Sequence, residues 1–266
     1  MDFIDQMNRT IRLAQMPKRI VSLVPSITEL LSYFEMEEEV VGITKFCIKP
    51  EAWFQSKTRV GGTKQIHLDI IRELKPDLII ANKEENNQEI VASLEHEFPT
   101  YLTDIYTLED AYEAIRRLAV ILGKEEYAQR LIAATKTTFN DFIKSDSFQV
   151  LEGKSYLYFI WHKPDMVAAK NTYIDAVFQQ IGMVNTCTEE RYPEIEHDQN
   201  PDFIFLSSEP YPFQEKDIPY FEEKYPNSKI ILVDGEIFSW YGSRIQFIIP
   251  YVKEVLIKSI INKNIN

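Results

Sequence analysis

Polar and aromatic side chains gather just after the predicted strands of this 266-residue chain, where ligands bind in open α/β sheets. Trp161 directly follows one predicted strand, and the aromatic segment 238–244 directly precedes the last predicted helix. Other strand ends carry hydroxyl groups, amides and the lysines Lys45, Lys64 and Lys83. These groups suit binding by stacking and charge-assisted hydrogen bonds better than acid–base catalysis, which needs positioned titratable groups.

The aromatic side chains are concentrated in the second half, because residues 150–266 hold 19 of the 33 phenylalanine, tyrosine and tryptophan residues. We place Trp161, Trp240 and Tyr241 at loop ends rather than on apolar strand positions. Two interpretations fit: the rings cap the core, or they form a stacking surface for a planar or macrocyclic ligand. Trp53 is the only tryptophan of the first half and is a candidate contact from that side.

Two cations add to the candidate binding set. Arg244 falls in the predicted first turn of a helix, where the helix dipole disfavours positive charge, so we expect a bound anion or a neighbouring carboxylate there. Lys45 follows a strand and is either a ligand contact or solvated. Together with Lys64 and Lys83, it favours an anionic or carboxylate-bearing ligand over a neutral one.

The sequence offers no motif for catalysis or for a resident metal or cofactor. Ser26 lacks the flanking glycines of a nucleophile elbow, and neither H-E-x-x-H nor C-x-x-C occurs. The eight glycines form neither of the common phosphate-binding loops. Cys47 and Cys187 are predicted to be free thiols, and Glu196-His197-Asp198 a solvated loop. We therefore predict no catalytic residue, no metal ligand and no intrinsic cofactor.

The net charge of −12 is spread along the chain, with −5 in residues 1–106, −1 in 107–149 and −6 in 150–266. Because no basic stripe occurs, we expect no nucleic-acid partner. The charge serves solubility, or it prepares two acidic surfaces for a basic partner. The first 20 residues contain no apolar run typical of a signal peptide, and no 18-residue apolar window predicts a membrane span.

Strands and helices alternate in the first half, which predicts an α/β unit with a mainly parallel sheet. Strands are predicted at 20–24, 40–44, 78–81 and 100–103, and helices from Ser26, at 68–74 and at 87–97. Ser26 and Glu29 have the spacing of a capping box, so Ser26 is the predicted N-cap.

The middle and the second half complete the predicted architecture. Residues 107–149 have helical periodicity without a strand, and a helix at about 124–144 is predicted to act as a rigid connector. The second half repeats the α/β order, with strands at 156–160, 203–206 and 230–233 and helices at 172–181, 214–224 and 244–261. We predict a unit over 1–106, a helical segment over 107–149 and a second unit over 150–266.

Four segments of the first half resemble the class III substrate-binding proteins of ABC importers, which bind cobalamin, haem or ferric siderophores. They are Pro17–Leu31 (PKRIVSLVPSITELL), Val40–Thr44 (VVGIT), Val60–Gly62 (VGG) and Leu74–Ala81 (LKPDLIIA), in the order and spacing of the family. The helix after Gly123 and the segment Trp240–Arg244 before the last helix also fit, so the resemblance covers about residues 17–260.

The resemblance implies two Rossmann-like lobes with mainly parallel sheets, joined by a single long backbone helix, with a ligand cleft between the lobes. It implies non-covalent binding of a metal chelate, with candidate contacts at Lys45, Trp53, Lys64, Lys83, Trp161, Trp240, Tyr241 and Arg244. It also implies an acidic residue on each lobe that docks a membrane permease, with Glu85 or Glu89 on the first lobe and Glu209 on the second.

We expect a monomeric, non-enzymatic binding protein of the periplasm or cell envelope. Since the chain as given carries no signal peptide, a cytoplasmic location and a role as an intracellular sensor or chaperone for such ligands stay open. The other alternative is a chelatase-like or hydrolytic enzyme, for which His162 would be the general base because it is the histidine placed at a strand end.

Overall fold

Short apolar segments of the first half form a five-stranded parallel sheet in the computed structural model, which describes residues 1–196 and 198–262. The strands of this sheet are β3 (Ile20–Ser22), β4 (Val40–Ile43), β5 (Thr58–Arg59), β6 (Leu78–Asn82) and β7 (Thr100–Thr103). Two further strands, β1 (Asp2–Ile4) and β2 (Thr10–Arg12), precede them in the chain. The helices are α1 (Pro25–Tyr33), α2 (Glu51–Ser56), α3 (Leu68–Leu74), α4 (Gln88–Glu95) and α5 (Leu108–Leu122).

The order of strands in this first sheet is β5-β4-β3-β6-β7, and every neighbouring pair is parallel. β1 and β2 form a separate antiparallel hairpin. β3, β6 and β7 are buried along their whole length, as expected for a parallel sheet covered on both faces. Its core includes Val21, Leu23, Val60, Ile71, Ile79, Ala81, Val91, Leu94 and Leu102.

The first helix has its N-cap two residues earlier than predicted, so the capping box at Ser26 is wrong. Val24 is the N-cap residue and no side chain caps the helix, while Pro25 occupies its first turn. Proline is favoured there because its backbone angle already suits a helix and it lacks the N–H group that would need a partner. Ser26 is therefore a buried residue of the helix itself.

A second sheet is built from the second half of the chain. Its strands are β8 (Ser155–Trp161), β9 (Met166–Val167), β10 (Val184–Asn185), β11 (Phe203–Ser207) and β12 (Lys229–Val233). The order is β10-β8-β11-β12 with parallel pairs, and β9 pairs with β8 in the antiparallel direction. Its core includes Leu157, Phe159, Val167, Ala169, Cys187, Ile204, Leu206, Phe213, Phe221 and Tyr225.

The helices of the middle and of the second half are α6 (Glu125–Ile143), α7 (Asp146–Leu151), α8 (Tyr173–Gln180), α9 (Ile218–Lys224) and α10 (Gly235–Ser239). α6, α8 and α9 lie near the predicted positions, whereas α7 and α10 were not predicted. A 3-10 turn (Glu215–Asp217) precedes α9. The last helical stretch changes type along its length, from a 3-10 turn (Ser243–Phe247) through α11 (Ile248–Tyr251) and a π-helix (Val252–Ile257) to α12 (Lys258–Asn262).

Contacts divide the chain into two compact units. Unit 1 comprises Met1–Ile105, Glu109–Ile132 and Tyr241–Arg244, and unit 2 comprises Tyr106–Leu108, Ala133–Trp240 and the residues from 245 onward. The predicted α/β class with two mainly parallel sheets is confirmed. The long helix is present as α6, but the chain also changes unit on both sides of Tyr241–Arg244, so a single rigid connector stays a prediction.

Candidate functional site

Each sheet contains a point where the strand order reverses, and such a point opens a crevice at the carboxyl ends of the two strands involved. In unit 1, β4 and β5 lie on one side of β3 while β6 and β7 lie on the other. In unit 2, β10 lies on one side of β8 while β11 and β12 lie on the other. The topology therefore predicts a crevice at the carboxyl ends of β3 and β6 in unit 1, and another at those of β8 and β11 in unit 2.

Tyr241 packs into the crevice of unit 1. Its hydroxyl group donates a hydrogen bond of 3.1 Å to the Glu85 carboxylate, which lies just after β6. Burial is the main cause that raises the pKa of Tyr241 well above its usual value. The next residue, Gly242, has φ of 108° and would place a Cβ 3.0 Å from the Ser26 carbonyl oxygen in α1. The chain thus fills this crevice with its own segment.

Arg244 is the last residue of that segment, and its guanidinium group forms an ion pair. Its Nε lies 2.9 Å from Oε2 of Glu29 in α1, and the two side chains are only 9% and 20% exposed. The neighbouring carboxylate is one of the two partners that the sequence led us to expect. A role of Arg244 in ligand binding stays a prediction.

An exposed aromatic side chain and a lysine of unit 1 lie just after β4. Phe46 is 49% exposed, and the ammonium group of Lys45 lies 5.0 Å from its ring centre. The Lys45 amide donates a 2.7 Å hydrogen bond to the Gly61 carbonyl, which fixes this loop against the glycine pair. Gly62 packs closely at that contact, since a Cβ there would lie 3.1 Å from the Phe46 ring. Lys64 is exposed on the same loop.

Phe46 was missed in the sequence analysis, although its position after β4 could have identified it. Trp53, which we favoured instead, is only 3% exposed in the core of unit 1 and offers almost no surface for stacking. Its ligand contact stays a prediction that this arrangement does not favour.

The loop after β6 is held by its own hydrogen bonds. The Asn82 side chain accepts hydrogen bonds from the amides of Glu84 and Glu85, and the Lys83 ammonium group pairs with Asp104 at 2.7 Å. The charge of Lys83 is therefore partly neutralised, unlike a cation poised for an anionic ligand. Glu89 is exposed in the first turn of α4.

The crevice of unit 2 presents an aromatic pair. Trp161 at the end of β8 is 40% exposed, and Tyr211 after β11 meets it edge-on, with ring centres 5.9 Å apart and planes at 70°. The Tyr211 amide donates a 3.2 Å hydrogen bond to the Ile160 carbonyl, which holds the two segments together. Tyr211 was not among our candidate residues, although its place after β11 is the same signal that identified Trp161.

His162 turns inward from the same strand end. Its Nδ1 lies 2.5 Å from Oδ1 of Asp165, and the Tyr220 hydroxyl group donates to the other oxygen of that carboxylate at 2.9 Å. The His162 and Asp165 side chains are 10% and 6% exposed. Burial, followed by the bond to Asp165, raises the pKa of Tyr220 to about 12. The predicted general base is therefore engaged in a buried hydrogen-bond chain.

Glu209 and Trp240 are drawn into unit 2. The Ser239 hydroxyl group donates a 2.5 Å hydrogen bond to Glu209, whose pKa is raised above its usual value chiefly by burial. Gly235 allows this packing, because a Cβ there would lie 2.7 Å from Cγ of Glu209. Trp240 is 7% exposed. Permease docking by Glu209 and stacking by Trp240 stay predictions.

Cys47 and Cys187 are free and buried, and burial raises the pKa of both thiols. Within residues 1–196 and 198–262, no group of three histidine, cysteine or acidic side chains is arranged to hold a metal ion. His197 of the predicted solvated loop lies outside the described residues. Across those same ranges, no helix is long and apolar enough to cross a membrane.

The known proteins that this chain resembles are described as binding proteins. A family model described as "Periplasmic binding protein" matches residues 20–218. An uncharacterised ABC transporter substrate-binding lipoprotein of Bacillus subtilis, YvrC, is 25% identical over 70% of this chain and 60% of its own length. A vitamin B12-binding protein of Pectobacterium carotovorum is 32% identical over 43% of this chain and 42% of its own length. The matches thus span less than two thirds of both relatives.

A solved structure extends the likeness to the whole fold. The periplasmic vitamin B12-binding protein BtuF of Vibrio cholerae has a TM-score of 0.76 and 21% identity, over 92% of this chain and 98% of that one. At this level of identity, the match establishes a shared fold.

Proposed function

The chain belongs to the periplasmic binding protein family, and we propose that it is the substrate-binding component of an ABC importer for a metal chelate. The resemblance drawn from the sequence is confirmed by the family model, while the ligand is our inference. Cobalamin is our first candidate because two of the similar proteins are described as vitamin B12-binding. Haem and ferric siderophores are the other candidates.

The observation that carries this proposal is the Trp161–Tyr211 pair at the crevice of unit 2, in which Trp161 is exposed and Tyr211 is partly buried. Two aromatic rings on adjacent strand ends offer a rigid apolar surface, suited to stacking on the plane of a corrin or porphyrin. On unit 1, Lys45 and Phe46 offer a second aromatic surface beside a cation. That combination suits a ring system with carboxylate or amide substituents.

A binding experiment tests the proposal directly. Purified protein is titrated with cyanocobalamin, haemin and ferrichrome while tryptophan emission is followed, because Trp161 is far more exposed than Trp53 or Trp240. We expect saturable quenching by one ligand. Trp161→Ala should weaken its binding about tenfold or more, as for a central aromatic contact. The matched control is Trp53→Phe, which changes a buried ring and should keep the affinity. A folded protein that responds to none of the three ligands refutes the proposal.

We also propose an ABC permease as the partner, with Glu89 as the docking residue of unit 1. Glu89 is exposed, whereas Glu85 accepts the Tyr241 hydrogen bond and Glu209 accepts the one from Ser239. An exposed carboxylate can meet a basic partner without first losing an internal hydrogen bond.

The docking proposal predicts a loss of transport without a loss of binding. Glu89→Lys should lower the uptake of labelled cyanocobalamin by cells that depend on this protein, while the purified variant keeps its affinity. Glu73→Lys is the control, because Glu73 is an equally exposed glutamate at the far end of α3. Equal uptake by both variants and the unmodified protein would exclude Glu89. Cell fractionation tests the location outside the cytoplasmic membrane that this role requires.

A further inference from the structure

A tight turn carries Trp161 from β8 into β9. Trp161 pairs with Met166 across this antiparallel hairpin, and the ladder is irregular between Phe159 and Trp161. Because β9 has only two residues, the hairpin provides few backbone hydrogen bonds to hold the turn. The orientation of Trp161 therefore depends on side-chain contacts within the turn and between the turn and the rest of unit 2.

The hydrogen bond between His162 and Asp165 closes this turn from the inside. It joins the first and last residues of the loop between Trp161 and Met166, at 2.5 Å. Asp165 also accepts the 2.9 Å hydrogen bond from Tyr220 in α9, so the closed turn is fastened to the body of unit 2. The Ile195 amide adds a 3.0 Å bond to the Asp165 carbonyl group.

Aromatic rings surround the imidazole of His162 on several sides. The ring centres of Tyr220, Phe221, Tyr211 and Phe213 lie between 4.9 and 6.3 Å from it. Tyr211 is the ring that also meets Trp161. His162 thus touches Tyr211, one member of the aromatic pair, and is the chain neighbour of Trp161, the other member.

We propose that His162 is a positioning residue for ligand binding, which holds the Trp161–Tyr211 surface in place through its hydrogen bond to Asp165. This inference rests on the proposed function, because it assigns a role to a residue behind the same ligand surface. The imidazole does not touch the ligand in this role. The imidazole instead fixes the angle at which the rings of Trp161 and Tyr211 meet the ligand.

Two variants separate hydrogen bonding from packing. His162→Asn keeps an N–H donor near the position of Nδ1 but loses the ring, whereas His162→Phe refills the aromatic surroundings and loses the donor. The control is Tyr156→Phe. Tyr156 lies near the opposite end of β8, and this change removes its buried 2.7 Å hydrogen bond to Asp175 in α8.

The first measurement needs no ligand. Acrylamide quenching of tryptophan emission reports mainly on Trp161, because Trp53 and Trp240 are buried. We expect His162→Phe to change the quenching constant about twofold, while His162→Asn and Tyr156→Phe stay near the unmodified protein. Should His162→Phe fold poorly, Asp165→Ala removes the acceptor instead and should change quenching in the same way.

The second measurement is the affinity for cyanocobalamin, haemin and ferrichrome. For the ligand that binds, His162→Phe should raise Kd about tenfold, an effect comparable to losing one hydrogen bond to a charged group, and His162→Asn should restore most of it. If His162→Phe matches the unmodified protein while His162→Asn does not, the residue only fills space and the inference is overturned. If the unmodified protein binds none of the three, the proposed function fails, whereas the quenching comparison still decides whether His162 holds Trp161.

Discussion

Replacing Arg244 by methionine should destabilise the protein by about 3 kcal/mol, because it leaves the Glu29 carboxylate buried without its cation. The Nε of Arg244 lies 2.9 Å from Oε2 of Glu29, and the side chains are only 9% and 20% exposed. Removing one partner of a buried pair costs roughly 3–5 kcal/mol, and the partial exposure of Glu29 places this pair at the lower end. For a chain of this size the melting temperature should fall by about 6 °C.

The double variant tests the physical cause of that loss. Glu29→Met alone should also destabilise, whereas Glu29→Met with Arg244→Met should recover most of the stability, because an apolar pair leaves no buried charge. Urea unfolding of the four proteins gives the coupling energy, which we expect at about 2 kcal/mol. The matched control is Arg72→Met, which breaks an ion pair with Glu97 that is more exposed, and it should shift the midpoint much less.

One outcome would refute this reasoning. If Arg244→Met unfolds at the same urea concentration as the unmodified protein but binds ligand more weakly, Arg244 acts as a ligand contact and the pair with Glu29 contributes little. A coupling energy near zero would likewise show that the pair with Glu29 contributes little.

Three shorter predictions concern buried groups. Burial raises the pKa of Glu209 above its usual 4.5. The stability that its protonation contributes is therefore present below pH 4.5 and is lost as the pH rises through the raised value. The difference in melting temperature between Glu209→Gln and the unmodified protein should accordingly increase from about pH 4.5 upward. Because Cys47 and Cys187 are buried with raised thiol pKa values, a thiol reagent at pH 8 should label neither in the folded protein and both in urea, and rapid labelling of the native state would contradict this. Gly235→Ala would place a methyl group 2.3 Å from the Ser207 hydroxyl oxygen and should cost about 2 kcal/mol in urea unfolding, and an unchanged midpoint would mean that α10 shifts freely.

The secondary structure was predicted well wherever the pattern was local. β6 and β7 are continuous apolar or β-branched runs, and α5 and α8 have a clear helical period, so near neighbours in sequence decide their form. The start of α1 was wrong because the proline at its first turn outweighed the capping box predicted at Ser26. The β1–β2 hairpin was not predicted, since its strands have three residues each and carry almost no periodic signal.

The sequence by itself determined the α/β class of the protein, the order of the strands β3, β4, β6, β7, β8, β11 and β12 along the chain, and which chain segments follow the carboxyl ends of those strands. These properties follow from apolar periodicity and from helix and turn residues, which act over a few neighbouring positions. Four segments of the first half also indicated a family of binding proteins rather than an enzyme class.

Only the tertiary structure decided which of the side chains in those segments are exposed. Trp161 and Phe46 are exposed, whereas Trp53 and Trp240 are buried, although all four are large aromatic side chains. Tyr241 is enclosed because its hydroxyl group meets Glu85, a residue distant in sequence. Exposure depends on contacts between residues far apart in the chain, and no local pattern records them.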